Sequence, residues 1–250
     1  MLEIKNLVVK AQEKEILNDF NLNIDNGEIM VLMGPNGTGK STICKALMHH
    51  PDYEIISGVI KSNGKLLNDL TPTEIGRLGF FLLGQNPTEI EGITNAELLR
   101  SIIGEINGKK VDVFAFQKKL TEVCKLVGLP KEFMHRDINF NMSGGEKKKN
   151  ELLHLFMLEP KFIILDEIDS GLDVDAMKVV GELLKKYYDM YHPTMLIVTH
   201  HADILKYFDD YKVSIINDGK IIKTGSKDLV SLIEKHGFRS NAIAGSENHE

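Results

Sequence analysis

Gly34-Pro35-Asn36-Gly37-Thr38-Gly39-Lys40-Ser41-Thr42 fits the pattern G-x-x-x-x-G-K-[ST]. The spacing suits a polyphosphate. Glycines let the chain adopt backbone angles a Cβ resists, so backbone N–H groups can turn inward as an anion-binding nest. A helix starting near Lys40 adds the positive end of its dipole. Lys40 is expected to reach the β- and γ-phosphates, and the Ser41 hydroxyl to hold Mg²⁺. The flanks agree: Glu28–Met33 is apolar and short, as in a buried strand, and Ser41–Met48 has a helical pattern.

Further along, Phe162-Ile163-Ile164-Leu165-Asp166-Glu167 is an apolar run ending in two acids. Open α/β sheets hold ligands at the carboxyl ends of their strands. Asp166 suits Mg²⁺ through bound water, and Glu167 suits polarising an attacking water, where low solvent access strengthens both effects.

Composition excludes several classes. The chain has 250 residues and a net charge of −6. Without a basic footprint, DNA or RNA binding is disfavoured. The longest apolar runs, such as Ile29–Met33, fall far short of the roughly 18 residues that span a bilayer. The N-terminus enters a strand pattern at once, with no signal-like apolar region, and a cytoplasmic protein is expected. Cys44 and Cys124 are far apart, and the pairs His49-His50 and His200-His201 lack i, i+4 spacing. Neither a disulfide framework nor a histidine metal site is expected.

Strand-like stretches come first: Leu2–Val9, Ile16–Ile24, Val59–Leu67 broken by the hairpin signal Asn63-Gly64, and Phe80–Leu83. From Thr94 to about Met157 the pattern is mostly helical, with helices at Ala96–Ile103, Val113–Leu126 and Gly145–Met157. Strand 162–165, helix Val174–Tyr191 and strand Met195–Thr199 follow, then a hairpin around Asp218-Gly219. Short apolar strands alternating with helices predict an α/β fold with a mostly parallel sheet covered on both faces. The predicted division is a phosphate-binding α/β core of residues 1–86 and 158–238 and a helical insert of 87–157. Residues 239–250 are expected to form a polar tail.

A third motif, Asn141-Met142-Ser143-Gly144-Gly145-Glu146, opens a helical run with small residues. Its order, after the phosphate loop and before the acidic strand, resembles the signature motif of the ATP-binding-cassette ATPases. The resemblance implies a nucleotide-binding domain with a phosphate-loop core, an antiparallel β-subdomain and an inserted helical subdomain. It also implies ATP and Mg²⁺ as cofactors. Two copies would pair head to tail, with each ATP lying between the loop of one and Ser143, Gly144 and Gly145 of the other. Carried over by position, Gln85 is the glutamine that touches Mg²⁺ and links to the helical subdomain. Asp173, in Ser170-Gly171-Leu172-Asp173, lies on the interface loop, and His200 is the switch histidine at the γ-phosphate, with His201 a neighbour without a role. The aromatic residue that often stacks on adenine is missing from Val8–Lys14, so adenine is expected on Val9 or a neighbour.

Longer stretches narrow the resemblance. Ser143–Glu151, Leu158–Ala176, Gln85-Asn86-Pro87 with Glu89–Ile93, and Met1–Leu7 resemble the SUF-system ATPases of iron–sulfur cluster assembly, the SufC family. Lys149 stands where that family has arginine, which loses bidentate donor geometry. By residue type alone, Lys147–Lys149 is a solvated helix face. The resemblance implies scaffold partners of the SufB and SufD type, and no nucleic acid or membrane insertion. Two other readings stay open: the ATPase subunit of a membrane transporter, and a nucleotide-gated scaffold without turnover.

Overall fold

The computed structural model describes residues 1–238. The proposed tail at 239–250 lies outside them. The chain divides into two compact units.

The first unit comprises, among the described residues, Met1–Leu82, Lys161–Ile168 and residues 193–238. Strands β1 (Leu2–Ala11) and β2 (Lys14–Ile24) form an antiparallel pair. Then come β3 (Ile29–Met33), α1 (Lys40–Leu47), β4 (Tyr53–Ser62), β5 (Lys65–Leu66), α2 (Pro72–Arg77) and β6 (Phe80–Leu83). An antiparallel sheet has the order β2-β1-β4-β5, closed by the turn at Asn63-Gly64.

Strands β7 (Ile90–Thr94) and β8 (Asp137–Ile138), with helices α3 (Asn95–Asn107), α4 (Val113–Leu126), α5 (Gly144–Leu158) and α6 (Val174–Tyr191), belong to the second unit. Between α5 and α6 the chain returns to the first unit as β9 (Phe162–Asp166), and after α6 as β10 (Thr194–Val198), β11 (Lys212–Asn217), β12 (Lys220–Ser226) and α7 (Asp228–His236). The larger sheet has the order β12-β11-β3-β10-β9-β6, and β3 pairs in parallel with both β10 and β11. Every residue of β3, β9 and β10 is buried, as expected of parallel strands covered on both faces. Apolar side chains of both sheets and α1, among them Leu7, Phe20, Leu32, Ile43 and Ile164, form one core.

The second unit spans Leu83–Pro160 and Asp169–His192. Helix α6, placed in the core by sequence, clusters here. Phe156 of α5 meets Tyr187 of α6 edge to face at 5.2 Å, and the Tyr187 hydroxyl donates to the Pro160 carbonyl. Two elements escaped periodicity. Helix α2 is only six residues long, though Thr71-Pro72-Thr73-Glu74 holds a capping box and a first-turn proline. The β7–β8 pair is too short to alternate. Among the described residues no helix is long and apolar enough to cross a membrane.

Candidate functional site

Helix α1 follows β3 directly through the glycine-rich loop. Its N-cap is Gly39 at φ 105°, with no side-chain cap and no acid in the first turn. The first helical N–H groups therefore have no side-chain oxygen to bond and remain available to an anion. Bare backbone is required here. A Cβ on Gly34 would overlap the Ile216 carbonyl oxygen, and one on Gly39 would meet Leu17 at 2.5 Å. Lys40 is 4% exposed and folds over its own loop, its Nζ donating to the carbonyls of Gly34 (2.9 Å) and Pro35 (3.0 Å). Thr38 braces the same turn, its hydroxyl donating to the Pro35 carbonyl.

Strand β9, one strand removed from β3 across β10, brings the acids to the same end of the sheet. Ser41 Oγ donates to Asp166 Oδ1 at 2.8 Å. Burial pushes the Asp166 carboxyl above its ordinary pKa, while the Ser41 hydrogen bond pulls the other way. The next residue, Glu167, has φ 49°, a left-handed conformation uncommon for a side chain of this size. Its N–H donates to the Val198 carbonyl of β10. Its Oε1 lies 3.5 Å from Lys40 Nζ and 3.5 Å from His200 Nδ1. His200 Nδ1 is buried with no hydrogen bond among the described residues. Lys40, Ser41, Asp166, Glu167 and His200 thus meet in the first unit.

This donor set fits ATP with Mg²⁺. A lysine and free helical N–H groups match phosphate charge, and a hydroxyl beside a carboxylate matches the oxygen preference of Mg²⁺. Glu167 and His200, adjacent to each other and to Lys40, can hold or move a proton there.

The rest of the phosphate loop, including Asn36, Gly37 and Thr42, lies in the first unit, whereas Gln85, Ser143, Gly144, Gly145 and Asp173 belong to the second. Gln85 Nε2 donates to Ser170 Oγ at 3.2 Å. Ser143 is the N-cap of α5 in a capping box: its Oγ donates to Glu146 Oε2 and accepts from the Glu146 N–H. Gly144 and Gly145 form the first turn of α5. Asp173 caps α6, accepting from the Ala176 N–H at 2.7 Å.

Two expectations are corrected. Val9 is wholly buried in the first core, so it offers no surface to adenine; its neighbours Val8 and Ala11 are partly exposed. Lys147–Lys149 is not a solvated face. Lys148 is 4% exposed and bonds the Gly84 carbonyl and Glu151, and Lys147 pairs with Glu89 at 2.6 Å. Both lysines therefore bind α5 to the segment around Gln85. Sequence reasoning also missed Thr199 and Arg136. Thr199 Oγ1 bonds both the carbonyl and the N–H of His201, setting the turn that presents His200. Arg136 donates to the Asn141 carbonyl and lies 3.8 Å from Glu146, bracing the signature turn. A Thr two residues before a backbone N–H is a recognisable turn signal; a lone Arg is not.

Comparison with known proteins gives the family. The family model described as "ABC transporter" matches residues 17–170. A "Probable ABC transporter ATP-binding protein" of Streptococcus pyogenes serotype M3 is 45% identical over 240 residues, covering 95% of this chain and 93% of that protein. The "Probable ATP-dependent transporter ycf16" of Trieres chinensis is 41% identical, covering 95% and 96%. Among solved structures, the dimeric ABC transporter cassette MJ0796 superposes with a TM-score of 0.76 at 23% identity, covering 90% of this chain and 98% of that one. A second MJ0796 structure, in a post-hydrolysis state bound to ADP and Pi, gives 0.77 at 23% identity over the same coverage. The chain belongs to the ATP-binding-cassette family: it is an ATPase of that class, using ATP with Mg²⁺.

Proposed function

We propose that this chain is the cytoplasmic ATPase that powers iron–sulfur cluster assembly on a scaffold of the SufB and SufD type. The carrying observation is what the Glu146-Lys147-Lys148-Lys149-Asn150-Glu151 run does. This run resembles the SUF-system ATPases, whereas transporter cassettes tend to have Gln or Arg after the signature Gly-Gly. Through Lys148 to Gly84 and Lys147 to Glu89, it ties the signature helix to the Gln85 segment. Motion of one is thereby passed to the other, which a scaffold docked on that segment can use.

Within the first unit, Lys40 and the loop N–H groups would hold the phosphates, and Ser41 and Asp166 would hold Mg²⁺, which would offset phosphate charge. The resemblance adds Gln85 as a residue that would hold Mg²⁺. Glu167 would polarise the attacking water, and His200 would meet the γ-phosphate. Ser143, Gly144, Gly145 and Asp173 act on the nucleotide of a facing copy, so turnover needs two copies. The dimeric state of MJ0796 supports that arrangement.

Glu167→Gln is expected to bind ATP normally and to lose turnover by roughly 100-fold or more, measured by phosphate release beside nucleotide titration. Full hydrolysis by that variant removes Glu167 from its role. Lys40→Ala is expected to lose ATP binding. Affinity purification of the chain separates the two task readings. Soluble scaffold subunits support the proposal; a membrane permease supports a transporter subunit, the reading favoured by the relatives' names.

A further inference from the structure

Inside the second unit four polar side chains meet: Asn95, Asn139, Asn150 and the partly exposed His154. Asn95 and Asn150 are fully buried and Asn139 is 5% exposed. Their hydrogen bonds admit one consistent assignment. Asn95 Nδ2 donates to the Phe133 carbonyl at 3.0 Å, so its Oδ1 faces inward. Asn139 Nδ2 donates to the Thr88 carbonyl at 2.8 Å, so its Oδ1 faces inward too. Asn150 Nδ2 lies 3.0 Å from each of these oxygens and spends both protons on them. His154 Nε2, 2.7 Å from Asn95 Oδ1, must then carry the proton. Burial holds the imidazole neutral by pushing its pKa down to about 4, which leaves Nδ1 bare.

Three arms leave this cluster. Asn139, at φ 56°, lies four residues before Ser143 and fixes the chain entering the signature turn. Asn95 also holds the Arg136 carbonyl through its backbone N–H, and the Arg136 side chain grips Asn141 and Glu146. Thr88 lies three residues after Gln85. One helix-borne amide therefore sets both the signature turn and the segment following Gln85.

We propose that Asn150 is a positioning residue for ATP hydrolysis, acting through Asn139 and Asn95 to hold Ser143 where a facing copy needs it. The inference rests on the reading that Ser143 completes the site of the other copy. Asn150 is fully buried and acts only through the side chains it bonds. Removing it loosens the signature turn while leaving the phosphate loop, in the other unit, able to bind ATP.

The test uses the full-length chain. Asn139→Gly deletes the amide but keeps a residue that tolerates the left-handed turn, so it remains informative if Asn150→Ala folds poorly. Both variants are expected to lower kcat roughly 10- to 100-fold, the scale of a small misplacement. ATP affinity of the single chain, by nucleotide titration, is expected to change by less than about threefold. The double variant is expected to be no slower than the slower single variant, because both break one linkage. His154→Gln, which keeps a donor for Asn95, retains turnover; His154→Leu loses it. Unchanged kcat in Asn139→Gly and Asn150→Ala overturns the proposal, as does a loss that falls on ATP affinity alone. Ser143→Arg separates the layers. If it abolishes turnover while the asparagine variants do not, only the positioning role fails. If it keeps full turnover, the signature reading fails and takes this inference with it.

Discussion

Asp166 must be ionised to serve Mg²⁺, yet it is 4% exposed. Burial raises its pKa because a charge in a poor solvent is costly. The Ser41 hydroxyl offsets part of that cost. Asp166→Asn is therefore expected to stabilise the nucleotide-free chain by about 0.5–2 kcal/mol while abolishing turnover, a trade common at functional sites. Urea midpoints without nucleotide, compared with phosphate release, check both halves; a destabilised variant refutes the burial argument. Glu167 shows the same tension in its backbone. Its φ of 49° costs roughly 1–2 kcal/mol, and the Val198 hydrogen bond helps hold it. Residue types at Asp166, Glu167 and Lys40 were plain from spacing. The loss of Val9 to the core was not, because alternation along a strand does not say which face is covered.

Among the elements, the β3–α1 junction is the least forgiving. Gly34 passes against the Ile216 carbonyl, which is backbone of β11 and has no rotamer to change. Gly34→Ala is expected to destabilise the chain by about 1–3 kcal/mol by overpacking and to weaken ATP binding together with stability; thermal unfolding with and without nucleotide measures both. Helices α4 and α6 match their sequence-read bounds, since 14 and 18 residues give periodicity room to show. Helix α2 and the β7–β8 pair are too short for that. The lysine run of α5 misled for a different reason. A buried lysine looks like an exposed one until a carbonyl such as that of Gly84 is placed beside it.

For the molecule as a whole, His154 makes stability depend on pH. Its folded pKa of about 4 lies below the ordinary 6.5, so between these values the unfolded chain binds the extra proton. Stability is then full above pH 6.5 and is lost as pH falls towards 4. The slope is at most about 1.4 kcal/mol per pH unit from this group. Urea unfolding of the parent chain and His154→Gln at pH 7, 5.5 and 4.5 is expected to show the parent losing stability faster; parallel curves contradict the assignment. The phosphate loop, the acidic strand end, the signature turn and most helices were legible from residue order, because each rests on neighbours within a few positions. Ser41 and Asp166 are 125 residues apart, and they meet because β3, β10 and β9 lie side by side. That strand order, the burial of Lys148 and the asparagine cluster depend on which distant surfaces exclude water together. Such cooperation between remote segments leaves no periodic mark along the chain, so folding alone could settle it.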